Sequence, residues 1–317
     1  MQSILKSEKN KSLYLNRAVC PGCFTSTEKA KLEIYSKPQA ESILPEEHGQ
    51  FLSGYTNHRF FFSYYRCSDC SLLYCPTYYN EEELATLYKN QPENMSNVPF
   101  YCRIKTQENY FKKLKKYSPL DGGYLEIGAD IGIFTNFCIE DGNFNYFNLF
   151  EPNIETHIQL KKITENHPVK IFTNDFSSSF VLPKKISTAV IIHTLDHVLD
   201  PRKLLNEISK CMETNGILLL VTHDESSLLS RILKRRWPPF TLQHPQLFSP
   251  STITSILKKE GFKVLEVSKS SNVFPLFYLI KSFFVVLNLE KIKLPSFPSL
   301  ILPIKLGNIL TIARKVK

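Results

Sequence analysis

From residue 124 onward the chain alternates short apolar runs with longer amphipathic stretches. The runs YLEIG (Tyr124–Gly128), YFNLF (Tyr146–Phe150), VKIF (Val169–Phe172), TAVIIH (Thr188–His193), ILLLV (Ile217–Val221), FKVLEV (Phe262–Val267) and ILTIAR (Ile309–Arg314) have the length and residue types of strands. Helical stretches fall between them: one ending near Gly142, then Ile154 to Asn166, Pro201 to Met212 and Ser251 to Lys259. Asp200 before Pro201 reads as an N-cap with proline at the first helical position. This alternation predicts an α/β fold with a mostly parallel, three-layer sheet. Right-handed crossovers then place the loops that follow the strands along one edge.

The first third reads differently. Residues 28–66 carry no strong period. Asn80 can cap a short helix opening with Glu81, Glu82 and Glu83. Lys105 to Tyr117 is a second helix candidate with a basic face, and the turn SPLDGG (Ser118–Gly123) closes it. The chain therefore divides near residue 118 into an N-terminal module, 1–117, and a sheet domain, 118–317. The longest apolar stretch, Phe274–Leu289, has sixteen residues and is interrupted by Lys281. It is short of the roughly 20 residues a spanning helix needs. It reads as a core or lid helix, or as part of a membrane-facing or lipid-facing patch over 274–304.

Composition narrows this only a little. With 22% charged and 43% hydrophobic residues, the 317-residue chain is not globally disordered. The formal charge of +9 suits nucleic acid, a membrane surface or an anionic acceptor equally. The opening MQSILKSEKNKSLYL lacks the apolar segment of a secretory signal, so a cytoplasmic location is expected.

The cysteines are more informative. Cys20 and Cys23 form one C-x-x-C pair and Cys67 and Cys70 another, the two pairs separated by 43 residues. Each pair can hold one side of a tetrahedral metal, and four thiolates make structural Zn2+ the natural reading. Two reduced pairs without metal, or a redox pair, are the competing readings. Cys75, Cys102, Cys138 and Cys211 have no partner spacing and read as core or incidental residues.

The segment EIGADIG, Glu126 to Gly132, joins the first strand of the sheet domain to its helix. Gly128 permits a tight turn and Gly132 a close helix start. Glu151 ends the next strand, where a carboxylate can accept both hydroxyls of a ribose. The combination predicts a nucleoside-containing ligand. It does not separate a dinucleotide from S-adenosylmethionine.

Four blocks go further: YLEIGADIGIFT, LFEPN, VIIHTLDHVLDPRKLLNEISKCMETNGILLLVTHD and WPPFTLQHPQLFSPSTITSILKKEGF. Together they resemble class I S-adenosylmethionine-dependent methyltransferases, specifically the bacterial branch with an N-terminal Cys-pair module. The resemblance implies a Rossmann-like sheet of seven strands, the last antiparallel. It implies that Glu126, Gly128, Ala129, Asp130 and Gly132 wrap the methionine part of the cofactor. It places the ribose at Glu151 and Pro152, and the adenine at Asn174, Asp175 and Phe176. His193, Thr194 and Leu195 line the methionine end, and Asp196–His197 stands where family members often carry Glu-His. Asp130 occupies a position that such turns usually give to glycine.

An activated sulfonium methyl needs an aligned nucleophile, and a base only where that nucleophile holds a proton. His193, His197, His244 and Asp224 are the candidates for catalytic or acceptor contact, with His223 beside Asp224. Trp237 to Phe248 resembles a lid over the acceptor pocket. The acceptor is expected to be a small molecule, a sugar or a lipid-linked group. Three rival readings remain: a nicotinamide oxidoreductase, a nucleic-acid-binding protein or methyltransferase, and a non-catalytic zinc scaffold. No NPPY-like segment follows the fourth strand to grip a flipped base, which disfavours nucleic acid.

Overall fold

The computed structural model describes residues 13–43, 60–89, 95–174, 176, 182, 185–289, 291–292 and 300–316. The N-terminal part contributes strands β1 (Tyr14–Asn16), β2 (Lys31–Ile34), β3 (Tyr64–Arg66), β4 (Leu73–Tyr74) and β5 (Thr77–Tyr79), then helices α1 (Glu81–Lys89) and α2 (Phe100–Leu114). As expected, Asn80 caps α1, its Oδ1 accepting the Glu83 N–H at 2.8 Å. Helix α2 starts five residues earlier than the sequence pattern suggests, directly after Pro99.

The sheet domain follows as β6 (Asp121–Ile127), α3 (Ile133–Asp141), β7 (Asn143–Phe150), α4 (His157–Thr164), β8 (Val169–Phe172), β9 (Ile186–Ile192), α5 (Pro201–Cys211) and β10 (Met212–His223). Then come α6 (Leu228–Leu233), β11 (Gln246–Leu247), α7 (Pro250–Lys259), β12 (Phe262–Lys269), β13 (Asn272–Pro275), α8 (Leu276–Val286), β14 (Ile301–Ile304) and β15 (Asn308–Lys315). Seven of these strands form one sheet in the order β12-β15-β10-β9-β6-β7-β8. Neighbours from β10 through β8 are parallel, and only β15 runs against its neighbours β10 and β12. The strand order reverses between β6 and β9, which opens a crevice beyond their carboxyl ends. This is the Rossmann-like class I methyltransferase sheet that the sequence blocks imply.

Both faces of the sheet are covered, which explains the nearly unbroken apolar run ILLLV. Leu218 and Leu220 point to the core under α5 and α7, where Leu205, Ile208, Ile253 and Ile256 lie. Ile217, Leu219 and Val221 point to the opposite core with Phe111 of α2, Phe134 of α3 and Leu160 of α4. The alternation is the strand's period of two.

The N-terminal strands share the cores of the sheet domain. Cys20, Cys67, Leu72 and Tyr74 are buried in the same cluster as Ile253, Ile256 and Leu257. Strand β11, from the second half of the chain, completes a four-stranded sheet in the order β11-β4-β3-β2. Arg66 joins the parts again, holding Glu33 at 2.5 Å and Glu225 at 2.6 Å. Among the described residues no helix is long and apolar enough to cross a membrane. Most of the apolar stretch near the end forms α8 inside the β13–β14 hairpin; Phe274 is buried in β13, and Val286 is the one buried residue of α8.

Candidate functional site

The turn between β6 and α3 is shaped by two left-handed glycines. Gly128 has φ 78°, and a Cβ there would lie 2.2 Å from Thr194 Oγ1. Gly132 has φ 81°, and a Cβ would lie 2.7 Å from Leu160 Cδ1. Asp130 stands between them at φ 49°, a conformation that aspartate tolerates better than most residues. Below the turn, Glu151 accepts the backbone N–H of Asp130 at 2.7 Å and that of Asn153 at 2.9 Å. Burial first of all, and then Asp130 nearby, push its carboxyl up to about 7 despite these two donors.

Glu126 is placed differently. Its carboxylate is buried under the turn and accepts hydroxyl hydrogens from Tyr124 at 2.7 Å and Thr135 at 2.6 Å. It braces β6 against α3, and burial raises its carboxyl to about 7. Phe176 packs edge-on against Phe150, itself stacked on Phe172, near the end of β8. Asn174 follows that strand with its amide oxygen near the Thr173 hydroxyl. Asp175 lies outside the described residues. Pro152 is half-buried beside Glu151, whereas Leu195 is fully buried in the core beneath α5.

Across the crevice, the ends of β9 and β10 bring four histidines together. Ile192 is in register with Val221, so His193 and His223 emerge side by side with ring centroids 4.9 Å apart. His223 Nδ1 meets Asp196 Oδ2 at 2.5 Å, and Asp196 is fully buried. Asp196 stays well below the usual carboxylate range: burial opposes ionisation, but His223, whose backbone N–H and Nδ1 meet Asp196 Oδ2, favours it. His197 and His244 face each other with Nε2 atoms 3.1 Å apart. The Pro239 carbonyl, 2.6 Å from His244 Nδ1, can only accept, so that nitrogen carries the proton. His244 Nε2 then accepts from His197 Nε2, and His197 Nδ1 accepts from the Tyr88 hydroxyl at 2.7 Å. Burial keeps these rings neutral: His244 is lowered well below the usual imidazole range, His197 to about 4 and the neighbouring His193 to about 3.

Asp224 is not part of this cluster. Its Oδ1 accepts from the Ser226 N–H and hydroxyl and shapes the turn into α6. The segment 237–248 is a fixed wall more than a hinged cover. Phe240 packs on Phe61, Tyr64 and Trp237, and the hydroxyls of Tyr78 and Tyr64 donate to the carbonyls of Leu242 and His244. The Cys75 N–H donates to Pro245. Sequence reasoning paired His223 with its neighbour Asp224 and missed its contact with Asp196. The available signal was that both histidines end adjacent apolar runs.

The two C-x-x-C pairs converge. Cys20 Sγ lies 3.6 Å from Cys70 Sγ, Cys23 Sγ lies 3.5 Å from Cys67 Sγ, and all four sulfurs fall within 4.8 Å of one another. The pairs have matching backbones. Phe24 donates to the Cys20 carbonyl and Ser71 to the Cys67 carbonyl, and each donor is a left-handed residue directly after the second cysteine. Those separations match the edges of a tetrahedron around one ion with metal–sulfur bonds of about 2.3 Å.

A methyltransferase-domain family matches residues 102–267, more than half of the chain. The chain belongs to that family. Its fold is of the class I S-adenosylmethionine-dependent kind, with a cysteine cluster able to chelate a metal. Among solved structures, it is similar to an S-adenosylmethionine-dependent methyltransferase from Clostridium acetobutylicum at 11% identity, covering 74% of this chain and 99% of that one with a TM-score of 0.47. It is also similar to the N-methyltransferase NodS from Bradyrhizobium japonicum, bound to S-adenosyl-L-homocysteine, at 12% identity, 74% and 97% coverage and a TM-score of 0.46. No curated protein matches the chain.

The glycine turn of this methyltransferase domain gives a direct test. Gly128→Ala places a side chain at φ 78° against Thr194. It is expected to destabilise the fold by about 1–3 kcal/mol, read as a lower denaturation midpoint.

Proposed function

We propose that the protein transfers a methyl group from S-adenosylmethionine to a small-molecule, sugar or lipid-linked acceptor. One juxtaposition carries the reading. The Glu151-anchored glycine turn and the partly buried histidine cluster border the same crevice, at the switch between β6 and β9. The residues fit the cofactor: the Glu151 carboxylate beneath the glycine turn has used two of roughly four acceptor positions, leaving the others for ribose hydroxyls.

When bound, S-adenosylmethionine supplies a methyl already activated on a sulfonium. Gly128, Ala129, Asp130 and Gly132 would hold its methionine part, with Glu126 bracing the turn from below. Glu151 and Pro152 would hold the ribose, and Asn174, Asp175 and Phe176 the adenine. Thr194 and Leu195 shape the loop after β9. His193 would meet the acceptor, and its neutral ring can hold a proton that the acceptor releases. His197 and His244, whose ring nitrogens are engaged with each other, Tyr88 and the Pro239 carbonyl, would form the wall against which it is held. Asp224 supports the turn behind them. Residues 1–117 would serve as the metal-holding module and 118–317 as the transferase domain. The metal is Zn2+ in a structural role, since four thiolates leave no open position. The family branch with an N-terminal Cys-pair module is the closest description of this arrangement. Exposed Phe283, Leu300 and Ile301, within 274–304, suit an apolar acceptor or peripheral contact with a membrane from the cytoplasmic side.

Glu151 supplies the test. Its carboxyl titrates near 7, and only the ionised form offers all its lone pairs to the ribose hydroxyls. The ionised fraction rises with pH, so S-adenosylmethionine should bind about tenfold more tightly at pH 8 than at pH 6. Glu151→Gln should flatten that profile and weaken binding at pH 8 by about 1.5–3 kcal/mol. Calorimetric titration reads both. Unchanged affinity in the variant would sink the ribose assignment.

A further inference from the structure

We propose that His193, Asp196 and His223 form a second metal site, which takes a divalent transition cation at the acceptor side of the crevice. Each residue offers one ligand atom, and these atoms lie within 4.8 Å of one another. The site is separate from the cysteine cluster in position and in chemistry, since its donors are imidazole nitrogen and carboxylate oxygen.

Two orphaned atoms point to an absent ligand. His193 Nδ1 and Asp196 Oδ1 are both buried and have no hydrogen-bond partner among the described residues. Leaving such atoms unsatisfied is costly, and native proteins rarely do so without a bound water or ion. The two atoms belong to residues of the same triad, and a cation satisfies a nitrogen and an oxygen lone pair together while balancing the charge of the carboxylate. The charge agrees. Asp196 is fully buried, and its ion-pairing partner is the histidine His223 at 2.5 Å, not a lysine or arginine. A buried carboxylate requires a compensating positive charge, and coordination supplies it.

The surroundings are those of a ligating histidine. Ligating imidazoles commonly donate their second N–H to a fixed acceptor. Asn308 stands 3.4 Å from His193 Nε2, and its amide oxygen and nitrogen are interchangeable by rotation. With the oxygen turned to the ring it accepts the Nε2 proton and leaves Nδ1 free to coordinate. His193 stands at φ 50°, a left-handed backbone that histidine tolerates better than most residues, directly at the end of β9.

Two imidazoles and one carboxylate suit Zn2+, Fe2+, Co2+ or Mn2+. Three protein ligands also leave at least one position open, unlike the four thiolates of the cysteine cluster. That position would bind an acceptor through an oxygen, a hydroxyl or a carboxylate, and hold it beside the crevice. This role rests on the methyl-transfer reading; the metal site itself does not.

The test is metal content. Full-length protein, with its cysteine site filled, is equilibrated with Co2+ and assayed by mass spectrometry and optical absorption. A second metal equivalent is expected, with cobalt bands of nitrogen and oxygen coordination and no thiolate charge transfer. His193→Ala and Asp196→Asn should each lose that equivalent and retain the cysteine-bound one. Should either variant misfold, the cobalt spectrum of the wild-type protein still decides. A single equivalent in wild type, or a second one that survives both substitutions, overturns the site and leaves Asp196–His223 as a metal-free hydrogen-bonded pair. Titration of S-adenosylmethionine into the same samples keeps the two proposals apart. Cofactor binding with one metal equivalent refutes only the site, and two equivalents without cofactor binding refute only the transferase reading.

Discussion

Cys67→Ser is expected to produce the largest loss of stability of any single change in the chain. The thiolate belongs to a four-sulfur cluster whose members lie within 4.8 Å of one another. Structural zinc contributes on the order of 10–16 kcal/mol to the folding of small metal-bound modules. Loss of one ligand should remove on the order of 5 kcal/mol of that, read as a lower denaturation midpoint together with loss of bound zinc. The effect should not stay local. Cys67 and Cys70 form the turn between β3 and β4, and β4 pairs with β11 through Leu73 and Leu247. The carbonyls of His244 and Pro245, just before β11, are held by Tyr64 and Cys75 of the same N-terminal part. Zinc loss should therefore disturb the histidine cluster as well as the module. Full stability in a zinc-free variant would mean that the thiols pack without metal, as a simple buried cluster.

The second large effect is expected at Trp237, the single tryptophan of the chain. It is 1% exposed, with its ring 5.3 Å from Phe240 and 6.3 Å from His223. Trp237→Ala removes the side chain that joins the aromatic core of the N-terminal part to the histidines. The expected cost is about 3–5 kcal/mol, the range for deleting a large buried aromatic. Trp237→Phe keeps much of the apolar contact and should lose clearly less. Denaturant titration followed by circular dichroism measures both, since the fluorescence signal leaves with the tryptophan. Equal stability of the alanine variant would show that the wall 237–248 is not fastened through this ring.

What was legible in the chain follows from the range of the interactions. The C-x-x-C turns are local: the cysteines and the left-handed Phe24 or Ser71 that closes each turn lie within a few residues. The Asp200 cap, accepting from the Lys203 N–H at 2.9 Å, is equally local. The glycine turn and the strand-end Glu151 share a βαβ unit, so their meeting at 2.7 Å follows from right-handed crossover connection. Glu126 shows the limit. Its place in the block suggested cofactor contact, but its face of β6 is decided by the strand's period, which turns it under the loop toward Tyr124 and Thr135.

By itself, then, the sequence determined the α/β class, the succession of strands in the main sheet, the two cysteine turns and the glycine turn with Glu151 at the next strand end, because periodicity and short-range turn chemistry encode them. The tertiary structure decided the acceptor side. Asp196 and His223 are 27 residues apart and meet because β9 and β10 are parallel neighbours in register. His244 joins them because β11 leaves the second half of the chain to pair with β4 near the cysteine cluster. No local pattern specifies such pairings. They arise when two segments bury their apolar surfaces in shared cores, and that burial fixes which polar groups are left facing one another.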